Sequence, residues 1–280
     1  MTPASAADTD LWIESRGIQI PVTLTMPSED AAVPAPLVVL VHGHGGTRQE
    51  NGAFTELASL LAAIGIASIR MDFPGCGDST EPFTHNNMTN MLHDLDATLE
   101  FAMAQPGIDS GRVGMLGYSM GGRLTMLKIA DEPAIGATVL WAPVALNGGY
   151  AMVDVFGGKE QYAAVRDEAL RRGSAVFTTA WGQEQELGAK FFDDLERSEP
   201  LEALARYRGH LLVVHGSADE AIDVSNGIIA SQTALSTASA ELKILSDAGH
   251  GFGFFGNEPD VRAELLGATV DFFAARLLDD

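Results

Sequence analysis

Val113-Gly114-Met115-Leu116-Gly117-Tyr118-Ser119-Met120-Gly121-Gly122 is the stretch that decides the fold. Residues 113–116 make a short apolar run that suits a strand. A helical pattern starts at Met120 and runs to about Ala130. Between them lies a G-x-S-x-G turn. Such a turn, set between strand and helix, lifts a serine hydroxyl clear of its neighbours. Gly117 and Gly121 remove side chains that would collide with the adjoining strand and helix. The hydroxyl then sits at a helix N-terminus, whose partial positive charge favours an oxyanion. Five residues alone can arise by chance as a glycine-rich turn; the strand and helix on either side give the pattern its weight.

Outward from this turn, the same alternation recurs. Leu37-Val38-Val39-Leu40-Val41 is an unbroken apolar, β-branched run, as expected of a strand buried on both faces. Ile66 to Met71, Arg112 to Leu116, Ala137 to Trp141, His210 to Val214 and Glu241 to Leu245 are further strand candidates. Helical patterns around 54–64, 88–104, 120–130 and 259–277 separate or follow them. Strands alternating with helices predict a mostly parallel central sheet covered by helices on both faces. An opening β-hairpin is expected from Leu11 to Ser15 and Ile18 to Met26, turning at Arg16-Gly17. Residues 1–141 and 208–280 are thus read as the α/β core. Residues 142–207 break the rhythm and are read as a small helical cap or lid. This stretch is rich in aromatics, and Phe177, Trp181 and Phe191 are expected to line a specificity pocket. The other reading is surface decoration whose aromatics pack on themselves.

A serine hydroxyl needs a base to become a nucleophile. Of the seven histidines, His250 stands out, in Asp247-Ala248-Gly249-His250-Gly251-Phe252. Its glycine-rich loop follows the last strand, from where it can reach Ser119. His85, His93, His210 and His215 suit structural or solvated roles. The base needs an acid to fix its tautomer and stabilise the imidazolium. Asp219, in His215-Gly216-Ser217-Ala218-Asp219-Glu220, lies in the loop after the strand ending at Val214; Glu220 and Asp223 are rivals. Two N–H donors must meet the developing oxyanion. One is the backbone of Met120; the other is expected from His42-Gly43-His44-Gly45-Gly46, at the N–H of His44. His42 and His44 also form an H-x-H pair, but no third metal ligand is near in sequence. Asp72-Phe73-Pro74-Gly75-Cys76-Gly77-Asp78-Ser79 lacks dinucleotide spacing and reads as a structural loop rimming the site.

The formal net charge of −21 and pI of about 4.5 argue against nucleic acid and anionic membranes as partners. The charge serves solubility. Only four of the seventeen basic residues are lysine, a bias that a salt-rich habitat would also give. The single cysteine, Cys76, excludes an intramolecular disulfide. Met1 to Asp10 has neither the basic nor the apolar region of a signal peptide, so a cytoplasmic location is expected. No apolar run approaches the roughly 20 residues of a membrane span.

Taken together, these motifs resemble the α/β-hydrolase superfamily from Leu37 to Leu277. The loops 42–46, 72–79, 117–122, 215–219 and 249–250 look most like bacterial carboxylesterases of the feruloyl (cinnamoyl) esterase type. The resemblance implies the α/β-hydrolase fold, with an insertion similar to 142–207. It implies Ser119, Asp219 and His250 as a catalytic triad, His44 and Met120 as oxyanion donors, and no metal or organic cofactor. The partner would be a small-molecule ester. The family usually carries Val-Pro shortly after the acid, where this chain has Ala221-Ile222-Asp223. A serine peptidase or amidase of the same fold is the alternative. A dehalogenase or epoxide hydrolase would carry Asp at position 119, and a dienelactone hydrolase Cys. A non-catalytic small-molecule receptor would keep the fold but need no intact triad.

Overall fold

A computed structural model of the protein describes residues 7–28, 34–179, 182–256 and 258–278. In chain order the elements are β1 (Ala7–Ser15), β2 (Ile18–Met26), β3 (Ala35–Val41), α1 (Ala53–Ala63), β4 (Ala67–Met71), α2 (Met88–Met103), β5 (Ile108–Tyr118), α3 (Met120–Ile129) and β6 (Ile135–Trp141). There follow α4 (Lys159–Arg172), β7 (Ser174–Thr178), β8 (Glu184–Gly188), α5 (Ala189–Arg197) and α6 (Pro200–Leu204). The chain ends with β9 (His210–Gly216), α7 (Ser225–Thr233), β10 (Ser239–Leu245) and α8 (Pro259–Leu277). Eight strands form one sheet in the order β1-β2-β4-β3-β5-β6-β9-β10. From β4 to β10 all neighbours are parallel, while β1 and β2 join antiparallel. This is the α/β-hydrolase architecture expected above.

Side-chain alternation divides the core into two layers. Leu37, Val39 and Val41 of β3 face one way, with Met91, Leu95 and Leu99 of α2 and Leu124 of α3. Val38 and Leu40 face the other, with Phe54, Leu57 and Leu61 of α1 and Leu265 and Phe273 of α8. Successive residues of a strand point to opposite faces, so a continuous apolar run feeds both layers. At the hairpin, Arg16 and Gly17 have φ of 51° and 77°. A two-residue turn with both φ values positive matches the strand twist.

The described residues from 144 to 207 pack mainly on the first layer. Phe156, Tyr162, Phe177, Phe191 and Phe192 extend its apolar cluster, and Phe156 stacks on Phe177 with centroids 4.4 Å apart. Helices dominate the segment, but β7 and β8 add an antiparallel ribbon, which the sequence pattern did not announce. Arg123 ties the segment to α3. Its buried guanidinium donates to the carbonyls of Leu146 (2.8 Å) and Leu195 (3.0 Å) and to Ser198 Oγ (2.7 Å). Burial pushes Arg123 down to about 10. Helix α7 also escaped the sequence reading; Gly227 and the polar run around it give no clear helical period. Among the described residues no helix is long and apolar enough to cross a membrane.

Candidate active site

The residues singled out in five separate loops meet at the carboxyl ends of the parallel strands. Ser119 follows β5 directly and opens α3 with φ 54° and ψ −116°. A non-glycine residue there is strained, a cost that persists only where the surroundings enforce it. The neighbours show how. A Cβ on Gly121 would run into the carbonyl oxygens of Val41 and His42, and one on Gly117 into Thr125 and the Gly121 carbonyl. The Ser119 carbonyl accepts the Val144 N–H (3.0 Å), and its N–H donates to the Trp141 carbonyl (2.9 Å).

His250 brings Nε2 to 3.0 Å from Ser119 Oγ and Nδ1 to 2.8 Å from Asp219 Oδ2. The ring lies 5.0 Å from that of Tyr118, whose hydroxyl donates to the His250 carbonyl (3.1 Å). Asp219 has a fully buried side chain. Its Oδ1 accepts the N–H groups of Ala221 (3.0 Å) and Ile222 (2.8 Å). Burial alone would favour the neutral acid. Hydrogen bonds from His215 and His250 and the Ile222 N–H outweigh it and hold the carboxyl well below the usual carboxylate range. The Ala-Ile that replaces the family's Val-Pro therefore still supplies the turn that grips the acid. Glu220 and Asp223, the rival acids, are exposed.

His215 has a part that sequence reasoning missed. Its Nε2 lies 2.9 Å from the Ile222 carbonyl and 3.3 Å from Asp219 Oδ2, the same oxygen that His250 meets. The signal was present as a histidine four residues before the acid, at the end of a strand. His85 and His93 are exposed, and His210 bonds Ser239.

The loop after β3 passes over Ser119, where a Cβ on Gly43 would lie 3.2 Å from Ser119 Cβ. Its backbone is held on both sides. Phe73 N–H donates to His42 Nε2 (3.1 Å), so His42 Nδ1 carries the proton and donates to the Gly43 carbonyl (2.7 Å). The Gly46 N–H reaches the same carbonyl (3.1 Å). That carbonyl and the His44 N–H share one planar trans peptide and point opposite ways. Neither the His44 N–H nor the Met120 N–H has an acceptor among the described residues. His44 Nε2 donates to Gln185 Oε1 on β8 (2.7 Å), and burial pushes its ring down to about 4. Both nitrogens of His42 are thus occupied. Among the described residues no group of three or more His, Cys, Asp or Glu could hold a metal.

Asp72 fastens the loop after β4. It accepts the Arg48 N–H (2.6 Å), the Arg48 guanidinium and the Asp78 N–H (3.0 Å). Cys76 is buried, and burial pushes its thiol up to about 12, away from reactive thiolate.

A cavity of about 650 Å³ opens over Ser119 and His250. Met152, Val155, Phe254 and Phe255 are among the apolar residues that line it. Phe177 and Phe191, expected to line the pocket, do not. They are buried in the aromatic cluster, Phe191 with its ring 5.4 Å from that of His44. Trp181 lies outside the described residues.

A model described as the alpha/beta hydrolase family matches residues 38–265, and this chain belongs to that family. Among curated proteins it is similar to the quorum-quenching protein AidA of Acinetobacter baumannii. The two are 28% identical over 138 residues, 49% of this chain and 44% of AidA. It is also similar to the 2,6-dihydropseudooxynicotine hydrolase of Paenarthrobacter nicotinovorans, 28% identical over 142 residues, 49% of this chain and 34% of that protein. The chain spans less than half the length of these relatives. Among solved structures, Est1E from Butyrivibrio proteoclasticus, described with ferulic acid bound, superposes with a TM-score of 0.80. That match is 20% identical and covers 96% of this chain and 100% of Est1E.

Proposed function

We propose that the protein hydrolyses carboxylic esters through an acyl-enzyme, with Ser119 as nucleophile, His250 as general base and acid, and Asp219 as orienting acid. The observation that carries this reading is the unbroken hydrogen-bonded chain from Ser119 Oγ through His250 to the Asp219 carboxylate. His250 takes the serine proton as Oγ attacks the carbonyl carbon. The N–H groups of His44 and Met120 receive the negative oxygen. His250 then protonates the leaving alcohol, and water repeats the sequence on the acyl group. Asp219, ionised and buried, keeps the proton on Nδ1 and stabilises the imidazolium.

In this reading residues 142–207 act as a cap over the site. Met152 and Val155 from the cap, with Phe254 and Phe255, favour an apolar or aromatic acyl group; the feruloyl-type likeness points the same way. Turnover of a panel of esters graded in acyl size, beside matched amides, tests the proposal. Ester turnover should dominate, and Ser119→Ala should lose about 10⁴-fold or more in kcat while keeping the wild-type melting temperature within a few degrees. A Ser119→Ala protein with more than a tenth of the wild-type rate contradicts the mechanism; amides turned over as fast as esters favour a peptidase or amidase.

A further inference from the structure

Glu50 is a buried carboxylic acid that the mechanism above does not use. It lies eight residues beyond the start of the His42 loop and lines the cavity over Ser119. One oxygen, Oε2, accepts the Gly43 N–H at 2.9 Å. The same oxygen would be 2.5 Å from a Cβ on Gly46, so Gly46 leaves the space that the carboxyl group fills. The backbone there is costly. Glu50 and Asn51 have φ of 44° and 51°, followed by Gly52 at 91°. Two successive non-glycine residues in the left-handed region are uncommon, and such strain tends to gather at functional sites. The titratable groups around Glu50 are Tyr118 of β5, Cys76 of the loop after β4, and His44 and His250, which line the same cavity; among the described residues none forms an ion pair with its carboxyl group. A carboxyl group buried at such cost, with no basic partner, is not explained as an ion pair.

We propose that Glu50 is a positioning residue for the oxyanion loop. Its carboxyl group holds the His42–Gly43 peptide by the Gly43 N–H, while His42 Nδ1–H holds the next peptide by its carbonyl. Two consecutive peptide planes are thus pinned by side chains, and the second carries the His44 N–H. Without the first pin, the loop can rotate and the His44 N–H leaves the line to the substrate oxygen. The inference rests on the reading of His44 as an oxyanion donor. It adds that this donor is preorganised by a residue outside the triad and outside the loop itself. Burial pushes the Glu50 carboxyl up to about 7, so near neutral pH much of the population already carries a neutral group. A glutamine copies that group and keeps an oxygen for the Gly43 N–H.

The test compares Glu50→Ala, Glu50→Gln, Gly46→Ala and Ser119→Ala on one p-nitrophenyl ester, with melting temperatures alongside. Binding of a phenylboronic acid, which forms a tetrahedral anion on a reactive serine, supplies a second readout. Loss of an oxyanion donor costs about 10²–10³-fold in kcat. Glu50→Ala should therefore lose on the order of 10²-fold in kcat with KM within about threefold, and weaken the boronic acid in parallel. Glu50→Gln should recover most of both. Gly46→Ala, which presses a methyl group onto the carboxyl, should fall between them. If Glu50→Ala keeps the wild-type kcat and boronic-acid affinity, Glu50 does not position the loop. If Glu50→Ala fails to fold, the folded Gly46→Ala and Glu50→Gln decide: wild-type kcat in Gly46→Ala, or a Glu50→Gln as inactive as Ser119→Ala, overturns the proposal. If Ser119→Ala itself turns over the ester, the reading of the site falls, and this inference with it.

Discussion

The floor of the site and the segment above it are built by different means. The floor consists of loops that each leave the carboxyl end of a strand, and each carries its chemistry in a run of five or six residues. Gly117 and Gly121 surround Ser119, Gly43 approaches it, and Ala221 and Ile222 close a turn on Asp219. Residues 142–207 depend instead on partners far away in sequence. Arg123 of α3 bonds carbonyls more than 70 residues on, and Gln185 of β8 bonds His44, 141 residues back. The groups that the proposed mechanism uses are fixed by short local turns, whereas the walls are fixed by packing. Gln185 and Phe191 meet the floor at His44, and Val144 meets it at Ser119.

Beyond Ser119, the largest effect on the floor should come from its acid. Asp219→Asn should lower kcat by about 10³–10⁴-fold, because the amide favours the wrong imidazole tautomer. Glu220→Asn and Asp223→Asn, altering exposed side chains, should stay within about twofold. Steady-state kinetics on the three variants decide the matter; a larger loss at 223 than at 219 would move the acid.

Arg123 anchors the segment above the floor. Arg123→Met strips donors from the Leu146 and Leu195 carbonyls and from Ser198. Ser198 Oγ still donates to the Leu195 carbonyl (3.0 Å), but hydrogen bonds from a charged donor contribute about 1.5–3 kcal/mol each, so urea unfolding should show a loss of about 4 kcal/mol. Serine chemistry on a small acetyl ester should change far less than stability does. An unchanged unfolding midpoint would mean that Arg123 does not tie the segment down.

Glu50 gives a pH-dependent effect on stability. Its carboxyl is pushed up to about 7 when folded, against about 4.3 in an unfolded chain. The folded state therefore holds this proton more tightly. Its stabilising effect is full below the unfolded value and is lost as pH rises through 7, roughly 4 kcal/mol in all. Glu50→Gln lacks that loss. Its stability relative to the wild type should rise by this amount between pH 4 and pH 8 in chemical denaturation. His44, pushed down to about 4, titrates in both proteins and cancels in the difference. A difference that does not vary with pH would contradict a buried, proton-holding Glu50.

The smallest effects belong to the walls. Phe255 is 62% exposed at the cavity mouth, and Met152 lies deeper. Phe255→Ala and Met152→Ala should each lower kcat/KM for a bulky aromatic ester by about 1–2 kcal/mol, and less for acetyl. Equal changes for both esters would place the acyl group elsewhere.

The central sheet was legible because its strands are continuous apolar runs, with β3 the plainest. The proposed triad and oxyanion donors were legible because glycine, serine, histidine and aspartate sit at strand ends in short fixed patterns. The pocket aromatics were misjudged for a physical reason. Phe177 and Phe191 have the composition of a pocket wall, but aromatic composition is the same in a core, and only packing separates them. Phe254 and Phe255 follow the His250 loop and escaped attention behind it. Glu50 resembled any charged residue before a helix until its burial beside Gly43 was visible. The β7–β8 ribbon, with Glu184, Gln185 and Glu186, carries too few β-branched residues to announce itself.

The account stands most directly on a covalent bond at Ser119. The protein should be treated with diethyl p-nitrophenyl phosphate, and the nitrophenol released and the mass of the intact chain measured together. One equivalent of nitrophenol should appear as one diethylphosphoryl group is added, with the label mapping to the peptide that holds Ser119 and activity lost in step. Ser119→Ala should take up none. A label on another residue, or an unlabelled protein that hydrolyses esters at full rate, would contradict the mechanism.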